Sequence, residues 1–163
     1  MYDEFRKLRD EKAEGVKNAT IACGATVKKL CEYMNAVFGK DDNCEVRLGN
    51  DSGRPMGKAV ESSEHIPFKI GGSVDEYRNN IVIEAFGSIV LLLDSKPYPV
   101  LINARIYVYG DDAVTIEVPT ELHEDGRIAE PVSIKYKEGD DDEIFKPIAD
   151  AVIRELIHQI KLK

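Results

Sequence analysis

Tryptophan is absent from the chain and cysteine is scarce, with only Cys23, Cys31 and Cys44. An odd number of thiols, with no C-x-x-C pair and no histidine at ligand spacing, excludes a disulfide framework and a zinc site. Buried or half-buried thiols are the expected state. Lys28 and Lys29 lie near Cys23 and Cys31, but no spacing aims them at the sulfurs, so no reactive thiolate is expected. Long apolar runs are missing too. The longest, Ser88 to Leu93, falls far short of the ~20 residues that a membrane-spanning helix needs. Asp3 and Glu4 leave no secretory leader at this N-terminus, so a cytoplasmic chain is expected.

Catalytic signatures are equally lacking. There is no G-x-S-x-G elbow, no H-E-x-x-H helix and no Gly-rich nucleotide turn. The segment Gly53-Arg54-Pro55-Met56-Gly57-Lys58 invites comparison with a phosphate-binding loop. Its glycine spacing is one short, Ala59 stands where the magnesium-binding Ser or Thr belongs, and no helical apolar spacing follows. His65, His123 and His158 form no pair at fixed spacing. His123, between Glu121-Leu122 and Glu124-Asp125, reads as a solvated loop histidine rather than a metal or proton-transfer group. The expectation is a non-enzymatic protein with no cofactor and no metal.

A basic surplus is also absent: the net charge is −8. Residues 1–40 carry eight Lys/Arg against six Asp/Glu, so the excess of acid lies downstream. Between Gly110 and Glu143, twelve acids meet only Arg127, Lys135 and Lys137. That surface repels phosphates over a Debye length of about 8 Å, which disfavours direct nucleic-acid binding and suits a basic protein partner.

What the chain does have is pattern. Its 163 residues are 43% hydrophobic and 32% charged, enough for one core, and no repeat, low-complexity tract or linker divides it. We read a single α+β domain over 1–163, with a long helix over 1–39, an antiparallel sheet over 44–138 and a closing helix over 143–162. From Val16 the apolar positions step by four and three through Thr20, Cys23, Val27, Leu30, Met34 and Val37. Tyr2, Phe5 and Leu8 read as a second stripe out of phase with the first, with a kink or break expected near Gly15 and a C-cap at Gly39. A helix of that length exceeds what a domain of this size needs, so part of it should project or meet another subunit.

The strands follow. Cys44, Val46 and Leu48 alternate with polar residues, and the Gly49–Ser63 loop follows them. Ile66, Phe68 and Ile70 form an edge strand expected to end at Gly71-Gly72, with Ser73 and Glu76 as a capping box for a helical turn through Val74 to Arg78. Ile81 to Leu93 reads as two strands about a Gly87-Ser88 turn, the alternative being a single helix over Ser73 to Leu93, against which Gly87 and the β-branched density count. The second half is apolar on both faces, which asks for cover on both sides. Pro99 to Pro119 is a hairpin. Parity favours a three-residue loop, Gly110 to Asp112, pairing Val108 with Val114, Tyr107 with Thr115 and Arg105 with Glu117. Asp125-Gly126 marks a turn, and Val132, Ile134 and Tyr136 make the last strand of a meander of six to seven. Phe145, Ile148, Ala149, Val152, Leu156 and Ile160 give the closing helix its apolar face, with Pro147 in its first turn.

Two surfaces are candidates for recognition. One is the outer hairpin face with Arg105, Tyr107 and Tyr109, residue types common in interface hot spots. The other is the acidic run Asp140, Asp141, Asp142 and Glu143, which also suits a helix start. The leading expectation is an acidic, oligomeric protein that binds another protein as adaptor, chaperone or inhibitor. The alternative is a sequestering protein for a small anion, with a pocket at the sheet/helix or subunit boundary and Arg54, Lys58 or Arg105 as its ligands.

Overall fold

The computed structural model describes residues 1–56, 66–119, 121–122 and 128–162. The architecture is α+β: an N-terminal helix, one six-stranded antiparallel sheet and a C-terminal helix. Helix α1 spans Tyr2–Phe38 and ends at Gly39, whose φ of 70° and ψ of 70° place it in the left-handed region that glycine adopts without strain. The four-three stripe is buried at Cys23, Val27, Leu30 and Met34, with Ala19 buried beside it, while Val16 and Thr20 are half-buried and Val37 is exposed. No break occurs at Gly15. There the missing Cβ lets α1 lie against the sheet, since a Cβ would stand 2.9 Å from Val108 Cγ1. Because the helix is continuous, Tyr2, Phe5 and Leu8 precede Thr20, Cys23 and Thr26 by eighteen residues, or five whole turns. The two stripes are therefore in phase, contrary to the expectation from heptad spacing. Residues 1–14 are nonetheless exposed throughout.

Strand β3 (Asn80–Leu93) is the spine of the sheet. Strand β4 (Lys96–Tyr107) pairs along its whole length on one edge. Strands β1 (Cys44–Gly49) and β2 (Lys69–Asp75) share the other edge, β1 opposite Ser88–Leu93 and β2 opposite Asn80–Phe86. Strands β5 (Val114–Val118) and β8 (Val132–Tyr136) continue the sheet beyond β4, giving the order β1-β3-β4-β5-β8. A separate ribbon pairs β6 (Glu121–Leu122) with β7 (Ile128–Ala129). The β3–β4 turn is the two-residue Asp94-Ser95, both at positive φ (49° and 68°), the conformation that matches strand twist in tight hairpins.

Three strand expectations are corrected. The chain does not turn at Gly87-Ser88. Gly87 is there because the Phe68 ring occupies the space a Cβ would need, and Ser88 is fully buried with its hydroxyl donating to Asn50 O at 2.8 Å. Strand β2 does not stop at Gly71-Gly72 but runs on to Asp75, and the turn after it is Glu76–Asn79, closed by the Arg78 N–H donating to Asp75 Oδ1. The β4–β5 register is slid by two residues from the expected one. Arg105 faces Thr115, Ala104 faces Ile116 and Asn103 faces Glu117. Parity is preserved, so every side chain stays on its expected face. The cause is Asn80, whose side chain accepts from Tyr109 N at 2.9 Å and donates to Tyr109 O at 2.8 Å, while Val108 N–H donates to Ile81 O. These bonds hold Val108-Tyr109 against β3 instead of Ala113-Val114.

Both helices cover one face of the sheet. One buried cluster joins Cys23, Val27, Leu30 and Met34 of α1 and Ile148, Ala149, Val152 and Leu156 of α2 (Lys146–Leu162) to Ile83, Ala85, Ile89, Val100, Ile102, Ala104, Ile106 and Ile116. A 3-10 turn, Asp142–Phe145, leads into α2 and buries Phe145, whose ring stacks on Tyr136 (centroids 4.8 Å apart) and tilts against Tyr33 (5.9 Å). Val90, on the opposite face, is fully buried without belonging to that cluster. The second cover expected for Ile89–Leu93 comes from the chain itself, as the Asn50–Met56 loop folds back there. Gly49 lies under Val90 with no room for a side chain, and a Cβ at Gly53 would stand 2.9 Å from Pro99. Among the described residues no helix is long and apolar enough to cross a membrane.

Candidate functional site

With both helices on one side, no described element forms a layer on the other face of the sheet over most of β2, β3, β4, β5 and β8. Its side chains form cross-strand rows fixed by the register. Gly71, Glu84, Arg105, Thr115 and Lys135 make one row, and Lys69, Phe86, Asn103, Glu117 and Ser133 the next. Arg105 and Glu117 sit on a diagonal with Nη1 and Oε2 3.8 Å apart, at side-chain exposures of 40% and 25%. Such a partly solvated pair contributes little to stability but holds the guanidinium in place. Lys135 shares the row of Arg105, with Thr115 between them. Tyr107 pairs with Val82, and the Arg78 guanidinium lies over its ring at 5.2 Å, a cation–π contact that fixes the phenol on the surface. Phe86 and Leu101 are large apolar groups exposed by 41% and 51% on the same face. They line a hollow of about 500 Å³ with Asn103, Pro119, Lys69 and Asp51.

Tyr109 lies past the end of β4, exposed, its backbone clamped by Asn80 and its ring outside the rows. The acidic residues Asp140, Asp141, Asp142 and Glu143 precede α2 and are not part of this face. Asp140 Oδ2 accepts from Lys137 N, closing the turn after β8, and Asp141 Oδ1 accepts from Glu143 N as the cap of the turn into the helix, each at 2.9 Å. The two candidate recognition surfaces are thus separate.

The residues named for an anion are also dispersed. Arg54 lies in the Asn50–Met56 loop, whose shape is set by Asn50 Oδ1 accepting from Ser52 N and Arg54 N. That loop packs at Pro99, six residues and about 20 Å along β4 from Arg105. Lys58, like the remainder of that loop through Ser63, lies outside the described residues, as do His65, His123 and the Asp125-Gly126 turn. A cleft at the sheet/helix boundary does exist, about 820 Å³ between α1 and the ends of β4, β5 and β8, with Ala22, Thr26, Ile106 and Val114 among its walls. Its charged groups are Lys29, Lys137, Asp112 and Glu138. Lys29 donates to Tyr136 OH at 3.0 Å, and that bond holds the ammonium pKa above its ordinary value. Spacing gave no sign of this pair, because Lys29 and Tyr136 are 107 residues apart.

The thiols take no part in either region. Burial pushes Cys23 up to about 12, and burial together with Glu32 and Glu45 does the same for Cys31. Among the described residues no three His, Cys, Asp or Glu side chains converge as metal ligands would. No protein-family model, curated protein or solved structure matches this chain.

Proposed function

We propose that the chain is a non-enzymatic protein-binding module that takes its partner on the uncovered face of the sheet. The supporting observation is that Arg105, Tyr107, Phe86 and Leu101 share one face of β3 and β4, half-buried to exposed, while Ile83, Ala85, Ile102, Ala104 and Ile106 on the opposite face of the same two strands are buried. Aromatic and guanidinium groups held by a β-scaffold give contact area with little loss of rotamer freedom on binding. Lys69, Glu84, Arg105, Glu117 and Lys135 nearly balance in charge, so apolar anchoring and hydrogen bonding, rather than net charge, would select the partner here.

The experiment is capture from native-cell extract on the immobilised chain, run in parallel with Tyr107→Ala, Leu101→Glu and a variant neutral at Asp140, Asp141, Asp142 and Glu143, each checked for folding by circular dichroism. A partner held by the face is retained by the wild type, weakened at least about tenfold by Tyr107→Ala and by Leu101→Glu, and unaffected by neutralising the acids. Loss only in the neutralised variant, with a steep salt dependence, would transfer the binding site to the start of α2. The same captured set on every variant would overturn both versions.

A second reading rests on the cleft between α1 and β4–β5–β8, whose size falls in the range of small-molecule sites. A ligand at 100 times its dissociation constant would stabilise the fold by about 2.7 kcal/mol, so a thermal-shift screen of small metabolites, repeated on Lys29→Ala, tests it. No shift with any compound would remove it.

A further inference from the structure

The sheet has three strands with an open side, and they are finished differently. At β1, the Asn35 side chain donates to Val46 O at 2.9 Å and accepts from Val46 N at 2.7 Å, and Met56 N–H donates to Leu48 O, so most of the outward backbone groups of that edge are already bonded. At β2, nothing among the described residues bonds to the side away from β3. Six of its seven residues are exposed, and it carries no proline and no bulge to blunt it. Strand β8 is open as well, but its sequence, Val-Ser-Ile-Lys-Tyr, sets no opposite charges against each other when paired with itself.

Strand β2, Lys-Ile-Gly-Gly-Ser-Val-Asp, does. We infer that β2 pairs antiparallel with β2 of a second copy of this chain about a two-fold axis at Gly72, joining the two sheets into one. In that register Lys69 faces Asp75 of the other copy and Asp75 faces its Lys69, Ile70 faces Val74 and Gly71 faces Ser73. A shift by one residue sets Ile70 against Ser73. A shift by two sets Ile70 or Val74 against Gly72 and loses both charge pairs. The central glycines leave the backbone unobstructed for approach.

The faces also agree. Lys69 and Asp75 point to the uncovered side of the sheet, where ion pairs stay hydrated, whereas Ile70 and Val74 point to the helix side. There Ile70 is 41% and Val74 70% exposed, an apolar pair left open by the described residues. Beside them runs a groove of about 330 Å³ bounded by Lys12, Val16 and Thr20 of α1 and by Ile81 of β3. Pairing about Gly72 would bring the Ile70 and Val74 of each copy into contact and set the two grooves side by side. A seven-residue strand alone buries less than the ~800 Å² per partner of a standard interface, and the α1 walls of the groove supply further surface. The inference does not depend on what the uncovered face binds.

Light scattering on the intact chain tests it. The wild type should have twice the 18.2 kDa mass of one chain. Lys69→Asp and Asp75→Lys should each weaken association roughly tenfold by placing like charges opposite each other, and the double exchange K69D/D75K should restore it. Because Asp75 also holds Arg78, Val74→Lys serves as an independent variant at a position exposed in the single chain, and it should give a folded monomer. A wild type that stays monomeric at millimolar concentration overturns the inference. So does a dimer indifferent to Lys69→Asp and Val74→Lys, or one that the double exchange fails to restore.

Discussion

Gly87, Asn35, the buried Cys23 and the half-buried Cys31 are positions where one side chain, or its absence, decides a local property. At Gly87 the Phe68 ring stacks onto the backbone of the central strand, so Gly87→Ala must displace either the ring or β3. Overpacking of this kind costs typically 1–3 kcal/mol, and the loss should shrink in a Phe68→Ala background, as a double-mutant cycle in urea would read. Full additivity of the two substitutions would show that the ring is not what requires the glycine. Asn35 replaces a missing strand neighbour for Val46. Asn35→Asp keeps the acceptor for Val46 N–H and loses the donor to Val46 O, whereas Asn35→Ala loses both, so destabilisation should rise in that order to roughly 1–3 kcal/mol. Cys23 and Cys31, raised from 9.0 to about 12, stay protonated in the folded chain over a range where the unfolded chain ionises. Their contribution is complete below pH 9 and is lost as pH rises toward 12, at up to about 1.4 kcal/mol per pH unit for each thiol. Urea titrations at pH 8, 9 and 10 check the sign: stability unchanged across them would contradict it.

Among the elements, α1, its Gly39 cap, the alternating rows of β1 and β4, and the closing helix with Pro147 in its first turn were legible in the sequence, because each depends on neighbours one to four residues away. The two-residue slip between β4 and β5 was not, since it preserves parity and is decided by Asn80, which belongs to another hairpin. Gly87-Ser88 carries the composition of a turn, and only the Phe68 ring, nineteen positions earlier, shows that the glycine serves a close approach. The uncovered face was legible as a list, Arg105 and Tyr107, but not as a surface, because Phe86, Leu101 and Arg78 join it through pairing and a turn that no spacing announces. The 3-10 turn carries the junction of three elements on one side chain. Phe145 touches Tyr33 of α1 and Tyr136 of β8 and is fully buried, so Phe145→Ala should cost about 3–5 kcal/mol and loosen α1, α2 and β8 together. Hydrogen exchange confined to α2 in that variant would show that the aromatic cluster does not couple them.

At the scale of the molecule, the first part of α1 stands out because none of residues 1–14 is buried among the described residues. Its first buried residue is Ala19, so about fourteen residues, some 21 Å of helix, extend with Tyr2, Phe5 and Leu8 exposed. A free helix of that length is marginal in water, and its continuity with the packed part of α1 supplies the nucleus it lacks. Deleting residues 1–14 should therefore remove helical signal in far-ultraviolet circular dichroism yet lower the unfolding midpoint by no more than a few degrees, corresponding to under about 1 kcal/mol. The underside of this segment faces the way Cys23 does, toward the helix side of the sheet, which is the side where Ile70 and Val74 lie open. If two copies join at β2, the same deletion should weaken their association by more than it lowers the stability of the single chain. Equal thermal midpoints for the full and shortened chains at every concentration would mean that the overhang belongs to neither the fold nor the pairing.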